Sequence, residues 1–185
     1  MLPCTLPPEV ADALNRESGR IYSQVLVEHY RIYRKKGIWL SAASAEKLND
    51  CYNRQGTPLL HSHSIDAAQQ GFYKACKTTH ANRNDGAKYP RRRKYYRTTT
   101  WKHSGIRRDG DDLLLALARG RAGVRIRLPE ALRTLPDTSF LTVDLVYNRA
   151  RRGYAWHLAI EDGRLQRRRH KGSPPLIWVK FIPRP

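Results

Sequence analysis

Three carboxylates in the last third of the chain have residue types that could hold metal ions. Asp144 lies in "TVDLVYNRARRGYAWHLAIEDG", and Glu161 and Asp162 lie near its end. Carboxylates that hold two divalent cations can activate water against a phosphodiester, so this set would suit a metal-dependent nuclease. Apolar residues alternate with Asp144 and should point inward, namely Leu141, Val143, Leu145 and Tyr147. Asp144 would then lie on the opposite face, which argues against a nuclease site.

Two other polar clusters could also bind a metal. The stretch "HSHSID" brings His61, His63 and Asp66 close together, but it lies just before a predicted helix and offers no fourth ligand. The run "DGDD" from Asp109 to Asp112 contains Asp-Gly between two apolar runs, which is a stronger signal for a hairpin turn. We therefore predict no metal site and no cofactor in this chain.

A basic segment, "AKYPRRRKYYRTTTWKHSGIRRDG", carries nine cations with no acid before Asp109. Cations neutralise phosphates, and aromatic rings stack on unpaired bases, so this mixture suits RNA or single strands better than a duplex groove. The alternative is a solvated linker whose aromatic side chains turn into the core. The predicted nucleic-acid contacts are Lys88, Arg91, Arg92, Arg93, Lys94, Tyr95, Tyr96, Arg97, Trp101, Lys102, Arg107 and Arg108.

The overall charge points to the same kind of partner. The chain has 35 Lys and Arg against 16 Asp and Glu, a formal net charge of +19, which favours a polyanion. No window has the roughly 20 apolar residues of a membrane span, and the start lacks the pattern of a signal peptide. Cys4, Cys51 and Cys76 fit neither a disulfide framework nor a zinc site. We expect no membrane partner and a cytoplasmic, prokaryotic protein with reduced thiols, Cys76 being packed in a helix.

The first half of the chain has helical periodicity. Apolar residues recur every three, four or seven positions from Pro7 to about Lys36, among them Val10 and Tyr33. A second helix is predicted from Ser44, as its N-cap, to Gly56, and a third starts with Ser64 as its N-cap.

The second half alternates with a period of two. The stretches "RTTTWKHSGIRR", "DLLLALAR", "GVRIRLP", "SFLTVDLVYN" and "RGYAWHLAIEDG" predict about five antiparallel strands, with turns at Asp109-Gly110 and Arg152-Gly153. Arg125 and Arg127 in "VRIRL" alternate with apolar residues and are further predicted contacts on a basic sheet face. The predicted fold class is α+β, with a bundle of about three helices followed by a small antiparallel OB-like β-barrel or sheet.

The order of helical, basic and β-strand segments along the chain resembles that of a known protein family. A helical segment, then "KYPRRRKYYRTTTWKHSGIRRDGDDLLLAL", "VRIRLP", "FLTVDLVYN" and "YAWHLAIEDG", resembles the N-terminal half of TnpB-like transposon-encoded RNA-guided nucleases and related compact type V CRISPR effectors. The resemblance implies a recognition-like helical domain over residues 1–87 and a wedge or OB-like domain over 88–165. It further implies guide RNA and target DNA as partners, with divalent metal needed only in the RuvC nuclease domain that should follow.

The tail, residues 166–185, is basic and then apolar, and it suggests an interrupted nuclease domain. Back-translated with selected synonymous codons and shifted by one frame, "LIWVKFIP" gives Asp-Leu-Gly-Glu-Ile-His-Pro, similar to the motif that opens the RuvC domain. The hypothesis is a frameshift just before Leu176, and the alternatives are a genuine edge strand or a disordered tail. We therefore expect this chain to bind nucleic acid without being an enzyme by itself.

Two other functions stay open from the sequence. One is a stand-alone basic RNA- or DNA-binding protein with a regulatory or structural role. The other is a small RNase H-like nuclease that uses Asp144, Glu161 and Asp162. The sequence leaves the oligomeric state undetermined.

Overall fold

The computed structural model describes residues 1–53 and 59–161, without the side chains of 49–53. The predicted helix end at Gly56, Asp162 and the tail 166–185 lie outside these residues. Within the described ranges the fold is α+β, with helices first and then two small antiparallel sheets, which confirms the predicted fold class. The strands of this part do not close into a barrel, so the sheet is the form observed.

The longest helix, α1, runs Pro8–Lys36. Pro8 lies in its first turn, where the N–H that proline lacks has no intrahelical partner to lose. Gly37 ends the helix in the left-handed conformation, and its N–H donates to the carbonyl of Tyr33 at 2.8 Å. Val10 and Tyr33, which the apolar pattern placed on the inner face, are exposed. The buried face instead includes polar residues that the pattern did not mark: Asn15, Ser18 and His29.

The second helix, α2 (Ala42–Asn53), begins two residues before the predicted N-cap. Ser44 lies inside its first turn, and the N–H of Ser44 donates to Ser41 Oγ at 3.1 Å. The N-cap prediction was therefore wrong, because Ser41 supplies the capping oxygen that Ser44 was expected to supply.

The third helix, α3 (Ser62–Ala81), also begins earlier than predicted. His61 is its N-cap, with Nδ1 accepting a hydrogen bond from the N–H of His63 at 3.3 Å, so the assignment of this role to Ser64 was wrong. Ser64 is buried instead. Cys76 is buried in this helix as predicted, and burial raises the pKa of its thiol to about 11.

The strands form two sheets. The described residues contain β1 (Leu2–Pro3), β2 (Thr99–Lys102), β3 (Ile106–Asp109), β4 (Asp112–Leu115), β5 (Val124–Arg127), β6 (Phe140–Asn148) and β7 (Gly153–Ile160). Their order is β1-β7-β6-β2 in the first sheet and β3-β4-β5 in the second. The predicted turns at Asp109-Gly110 and Arg152-Gly153 join β3 to β4 and β6 to β7. A short helix, α4 (Glu130–Arg133), follows β5.

Two details of the strands differ from the prediction. The first predicted strand is divided into β2 and β3 by a 3₁₀ turn at His103–Gly105. A register shift between Phe140 and Thr142 turns Leu141 outward, so the strict alternation expected there is broken. Tyr147 is likewise exposed, whereas Val143 and Leu145 point inward as predicted.

One hydrophobic core joins the helices to both sheets. It combines Leu14 of α1 and Ile65 of α3 with Trp101 and Trp156 of the first sheet and Leu113 of the second. Apolar burial across all these elements is the main contribution that holds them together. A smaller cluster around Tyr22, Phe72 and Cys76 packs the three long helices against one another. In the ranges that the structure describes, no helix is long and apolar enough to cross a membrane.

His29 occupies a closed aromatic cluster in the helical part. Its side chain is 0% exposed, and its Nδ1 lies 3.1 Å from the hydroxyl oxygen of Tyr73. The ring centroids of His29 and Trp39 are 4.4 Å apart. Burial lowers the pKa of His29 below its ordinary value of 6.5, because the charged form loses its hydration. Below about pH 6.5 the unfolded chain therefore binds a proton at this histidine that the folded chain excludes. The free energy of unfolding is highest above this pH and decreases as the pH falls through it.

The free energy of unfolding should thus decrease between about pH 7 and 5, by at most roughly 1.4 kcal/mol per pH unit for this one proton. His29→Phe should flatten the decrease, and His80→Phe, at an exposed site, is the control. Urea unfolding at a series of pH values gives both slopes. Equal slopes for wild type and His29→Phe would contradict the role assigned to His29.

Candidate nucleic-acid interface

Part of the basic segment, residues 88–98, lies across α1 and is named the strap here. The hydroxyl of Tyr30 donates to the carbonyl of Pro90 at 3.1 Å. Ser23 Oγ donates to the carbonyl of Lys94 at 2.9 Å and accepts from its N–H at 2.8 Å. The N–H of Arg97 donates to the carbonyl of Asn15 at 3.0 Å. The strap therefore runs antiparallel to α1 and is fixed at several points.

The side chain of Asn15 is the central anchor of this arrangement. It is 2% exposed, and its Nδ2 donates to the carbonyl of Leu145 in β6 at 3.1 Å. Its Oδ1 accepts from the N–H of Thr99 at 3.0 Å and from the Thr99 hydroxyl at 2.8 Å. One buried amide thus ties α1 to β2 and β6 of the first sheet, directly after the end of the strap.

Two glycines allow close approach of the strap. A Cβ on Gly19, in the middle of α1, would lie 2.5 Å from the carbonyl oxygen of Tyr95, so a side chain there would displace the strap. A Cβ on Gly71 of α3 would collide with the guanidinium of Arg97. Arg97 lies 4.5 Å from the ring centroid of Tyr22, and burial lowers the pKa of its guanidinium. Arg97 is therefore a packing residue rather than an exposed contact.

The remaining strap cations face solvent. Two grooves flank the strap, and we name them the helix groove and the strap groove. The helix groove, about 630 Å³, lies between α1 and the strap and is lined by Arg16, Arg20, Arg31, Arg93, Lys94 and Tyr95. The strap groove, about 900 Å³, is lined by Arg83, Lys88, Arg91, Arg92 and Lys94. The structure thus brings five predicted cations together with arginines from outside the segment.

Sequence reasoning missed the arginines that α1 adds to the helix groove. Arg16 and Arg20 lie one turn apart, and their (i, i+4) spacing on the polar face of a predicted helix was the available signal. Arg20 pairs with Glu17 at 2.7 Å, and Arg31 pairs with Glu28 at 3.7 Å. Both arginine side chains are more than half exposed, so a phosphate could approach them beside these carboxylates.

The three aromatic residues predicted as contacts differ in exposure. Tyr95 is 83% exposed at the helix groove. Tyr96 is also exposed, with Arg16 at 5.2 Å from its ring centroid and Arg16 Nε donating to its hydroxyl at 2.8 Å. Trp101 is 0% exposed, donates from Nε1 to the carbonyl of Ala116 at 2.8 Å and packs against Trp156. Its prediction as a contact was wrong, because its strand position turns it into the core.

Two further predicted cations have partners within the protein. Lys102 is half-buried, and its Nζ donates to Gln70 Oε1 at 3.1 Å. Arg108 donates to the carbonyls of Gly110, Arg133 and Leu135 and so holds the loop after α4. Both contribute to the fold.

The predicted basic face of the second sheet is neutralised by acids. Arg125 pairs with Asp109 at 2.6 Å, and Arg127 pairs with Asp111 at 3.0 Å and with Asp112 at 3.2 Å. Alternation does expose both arginines as predicted, but the face carries a mixed ion-pair network. Arg107 is exposed and lies apart from the strap, at a groove of about 360 Å³ with His61.

Asp144 and Glu161, the two described members of the carboxylate set, do not form a metal site. Asp144 Oδ1 accepts a hydrogen bond from Thr100 at 2.6 Å, and burial raises the pKa of Asp144. In the β6–β7 register Asp144 pairs with His157, and Glu161 follows β7, four residues further along. At about 3.4 Å per residue this separates the two acids by roughly 14 Å. Among the side chains that the structure describes, no three from His, Cys, Asp or Glu group to hold a metal.

Comparisons with known proteins add no assignment. The chain matches no protein-family model, and a search of curated proteins found no significant match. Any functional conclusion therefore depends on the residues and geometry described above.

Replacing Asn15 should weaken the attachment of α1 to the first sheet. Asn15→Ala leaves the N–H of Thr99 and the carbonyl of Leu145 without their side-chain partner, so we expect unfolding to become about 2–4 kcal/mol easier. Gln24→Ala, on the solvent side of α1, is the control and should change stability by less than about 0.5 kcal/mol. Urea titration measures both values, and a similar small effect for both variants would contradict the anchoring role.

Proposed function

We propose that this chain binds nucleic acid through the strap, as the RNA-binding portion of a TnpB-like RNA-guided nuclease. The observation that carries this proposal is a row of exposed cations on a backbone that α1 holds in place, with Arg91, Arg92 and Arg93 at its centre. The finer assignment to guide RNA, with target DNA paired to it, rests on the resemblance in feature order. The proposed location is the cytoplasm of a prokaryote.

A fixed basic row is suited to a phosphate backbone. Single contacts between exposed charges contribute only about 1 kcal/mol in water, so affinity must come from several contacts and from released counterions. Because the strap is already docked on α1, binding need not order its backbone. Arg16 and Arg20 of α1 face Arg93 and Lys94 of the strap, so cations line both sides of the helix groove. A single strand of nucleotides could lie along this groove.

The aromatic component favours unpaired bases over a closed duplex. Tyr95 is almost free of protein contact and stands beside Arg93 and Lys94 at the helix groove. An exposed ring next to cations provides a stacking surface for a base whose phosphate is neutralised nearby. RNA loops and single-stranded ends supply such bases.

A second candidate function is a stand-alone basic RNA- or DNA-binding protein. The observation in its favour is the single core that joins α1, α3 and both sheets, because such a core lets the described residues pack without a partner. The two candidates differ in the dependence of folding on RNA. A stand-alone protein should show the same cooperative thermal transition with and without RNA at high salt, whereas a fragment should need RNA for solubility.

Charge reversal on the strap should weaken binding specifically. We expect the triple variant R91E/R92E/R93E to lose affinity for RNA by about tenfold or more and to flatten its salt dependence by about two in log–log slope, since each single-strand phosphate contact contributes about 0.7. The control is K36E/K47E/K77E, which makes the same change in net charge with exposed lysines that line neither groove. Fluorescence anisotropy at several salt concentrations measures both. An equal loss in both variants would show that only the net charge matters.

The purified chain should not cut nucleic acid by itself. The described acids Asp144 and Glu161 lie too far apart to share metal ions, and we expect the nuclease acids in a separate RuvC domain. Incubation of the pure protein with Mg²⁺ or Mn²⁺ and with single-stranded or duplex DNA should leave the substrate intact. Metal-dependent nicking that Asp144→Ala abolishes would contradict the proposal.

A further inference from the structure

The tip of the β6–β7 hairpin, "YNRARRGY", is a second basic and aromatic element. Arg149, Arg151 and Arg152 are exposed there, and none of their guanidinium groups pairs with a carboxylate of the described residues. Three like charges within four residues repel one another in the free protein. An anion that bound them together would relieve this repulsion.

The backbone of the tip is well defined. Asn148 Oδ1 accepts hydrogen bonds from the N–H groups of Ala150 at 3.0 Å and Arg151 at 3.2 Å. Arg152 adopts φ 46°, a left-handed conformation that glycine or asparagine reaches at lower cost. The turn therefore carries a cation at a position where folding alone would favour another residue.

Two tyrosines form the base of the tip. The rings of Tyr147 and Tyr154 lie 5.1 Å apart at 60°, and Tyr147 is 44% exposed. The hydroxyl of Tyr154 donates to the carboxylate of Asp12 on α1. Asp12 is one turn before Arg16, which contacts Tyr96 of the strap. The hairpin tip thus continues the strap surface through Asp12 and Arg16.

We propose that the hairpin tip binds an unpaired stretch of RNA that extends from the strap, with phosphates against the three arginines and a base stacked on Tyr147. This inference rests on the proposed function and adds a second contact to it. A duplex would offer phosphates to the arginines, but its base faces are stacked on one another and closed to Tyr147. A single strand can satisfy both kinds of side chain at once.

The first test removes the tip charges from the full chain. In R149Q/R151Q/R152G the glycine suits the left-handed position, so folding should be retained, which circular dichroism and thermal unfolding check. With an oligouridylate of about 20 nucleotides we expect about tenfold weaker binding and a salt slope reduced by about two. The control K36Q/K47Q/K77Q removes the same charge elsewhere and should change affinity less than about threefold.

The second test separates stacking from charge. Tyr147→Ala should weaken binding of the oligouridylate by about fivefold or more, because stacking on an aromatic ring contributes at least that much per base. Tyr147→Phe keeps the ring and should bind like wild type. Neither variant should alter binding of an RNA duplex of similar length.

The outcomes distinguish this inference from the proposed function. If the tip variants bind the oligouridylate like wild type while the strap variant R91E/R92E/R93E does not, the hairpin contact is wrong and the proposed function stands. If Tyr147→Ala weakens duplex and single strand equally, the assignment to unpaired RNA is overturned. If wild type binds neither RNA, both proposals fail.

Discussion

The side chain of Asn15 makes three hydrogen bonds that join α1 to β2 and β6 of the first sheet, and its backbone carbonyl accepts from the N–H of Arg97 in the strap. A buried amide with both ends satisfied stabilises only the geometry that satisfies it, because any other docking would leave its polar atoms without partners. The strap then follows α1 through Ser23 and Tyr30, and Gly19 lets the two backbones approach. The position of every strap side chain depends on this docking.

This docking separates the basic residues into two groups. Arg97, Arg108 and Lys102 lie against the protein and hold elements together, while Arg125 and Arg127 are neutralised by neighbouring acids. The remaining strap cations and the arginines of the hairpin tip keep exposed sides. A positive surface therefore arises where α1, the strap and β6–β7 meet, and the net charge alone could not have located it.

Local pattern was sufficient for the fold class, for α1 and for the turns at Asp109-Gly110 and Arg152-Gly153, because periodicity and turn chemistry act over a few residues. It failed where a residue distant in the sequence determines whether a side chain is buried, paired or exposed. In the sequence Trp101 lies among cations, which led to its prediction as a nucleic-acid contact. Only the packing of β2 shows that it belongs to the core. The apolar pattern of α1 did not mark Asn15 and Ser18 as buried, yet both bond to Thr99 of β2 in the core. Arg125 and Arg127 were expected to be free, but the turn between β3 and β4 brings acids to them.

The central claim is that RNA contacts the strap where α1 holds it. Photo-crosslinking of 4-thiouridine RNA to the full chain, followed by peptide mass spectrometry, tests this claim most directly. We predict crosslinks on strap residues, above all Tyr95, and on the α1 residues of the helix groove. Crosslinks confined to β3, β4 and β5, with the strap unmodified, would contradict the account and move the interface to the second sheet.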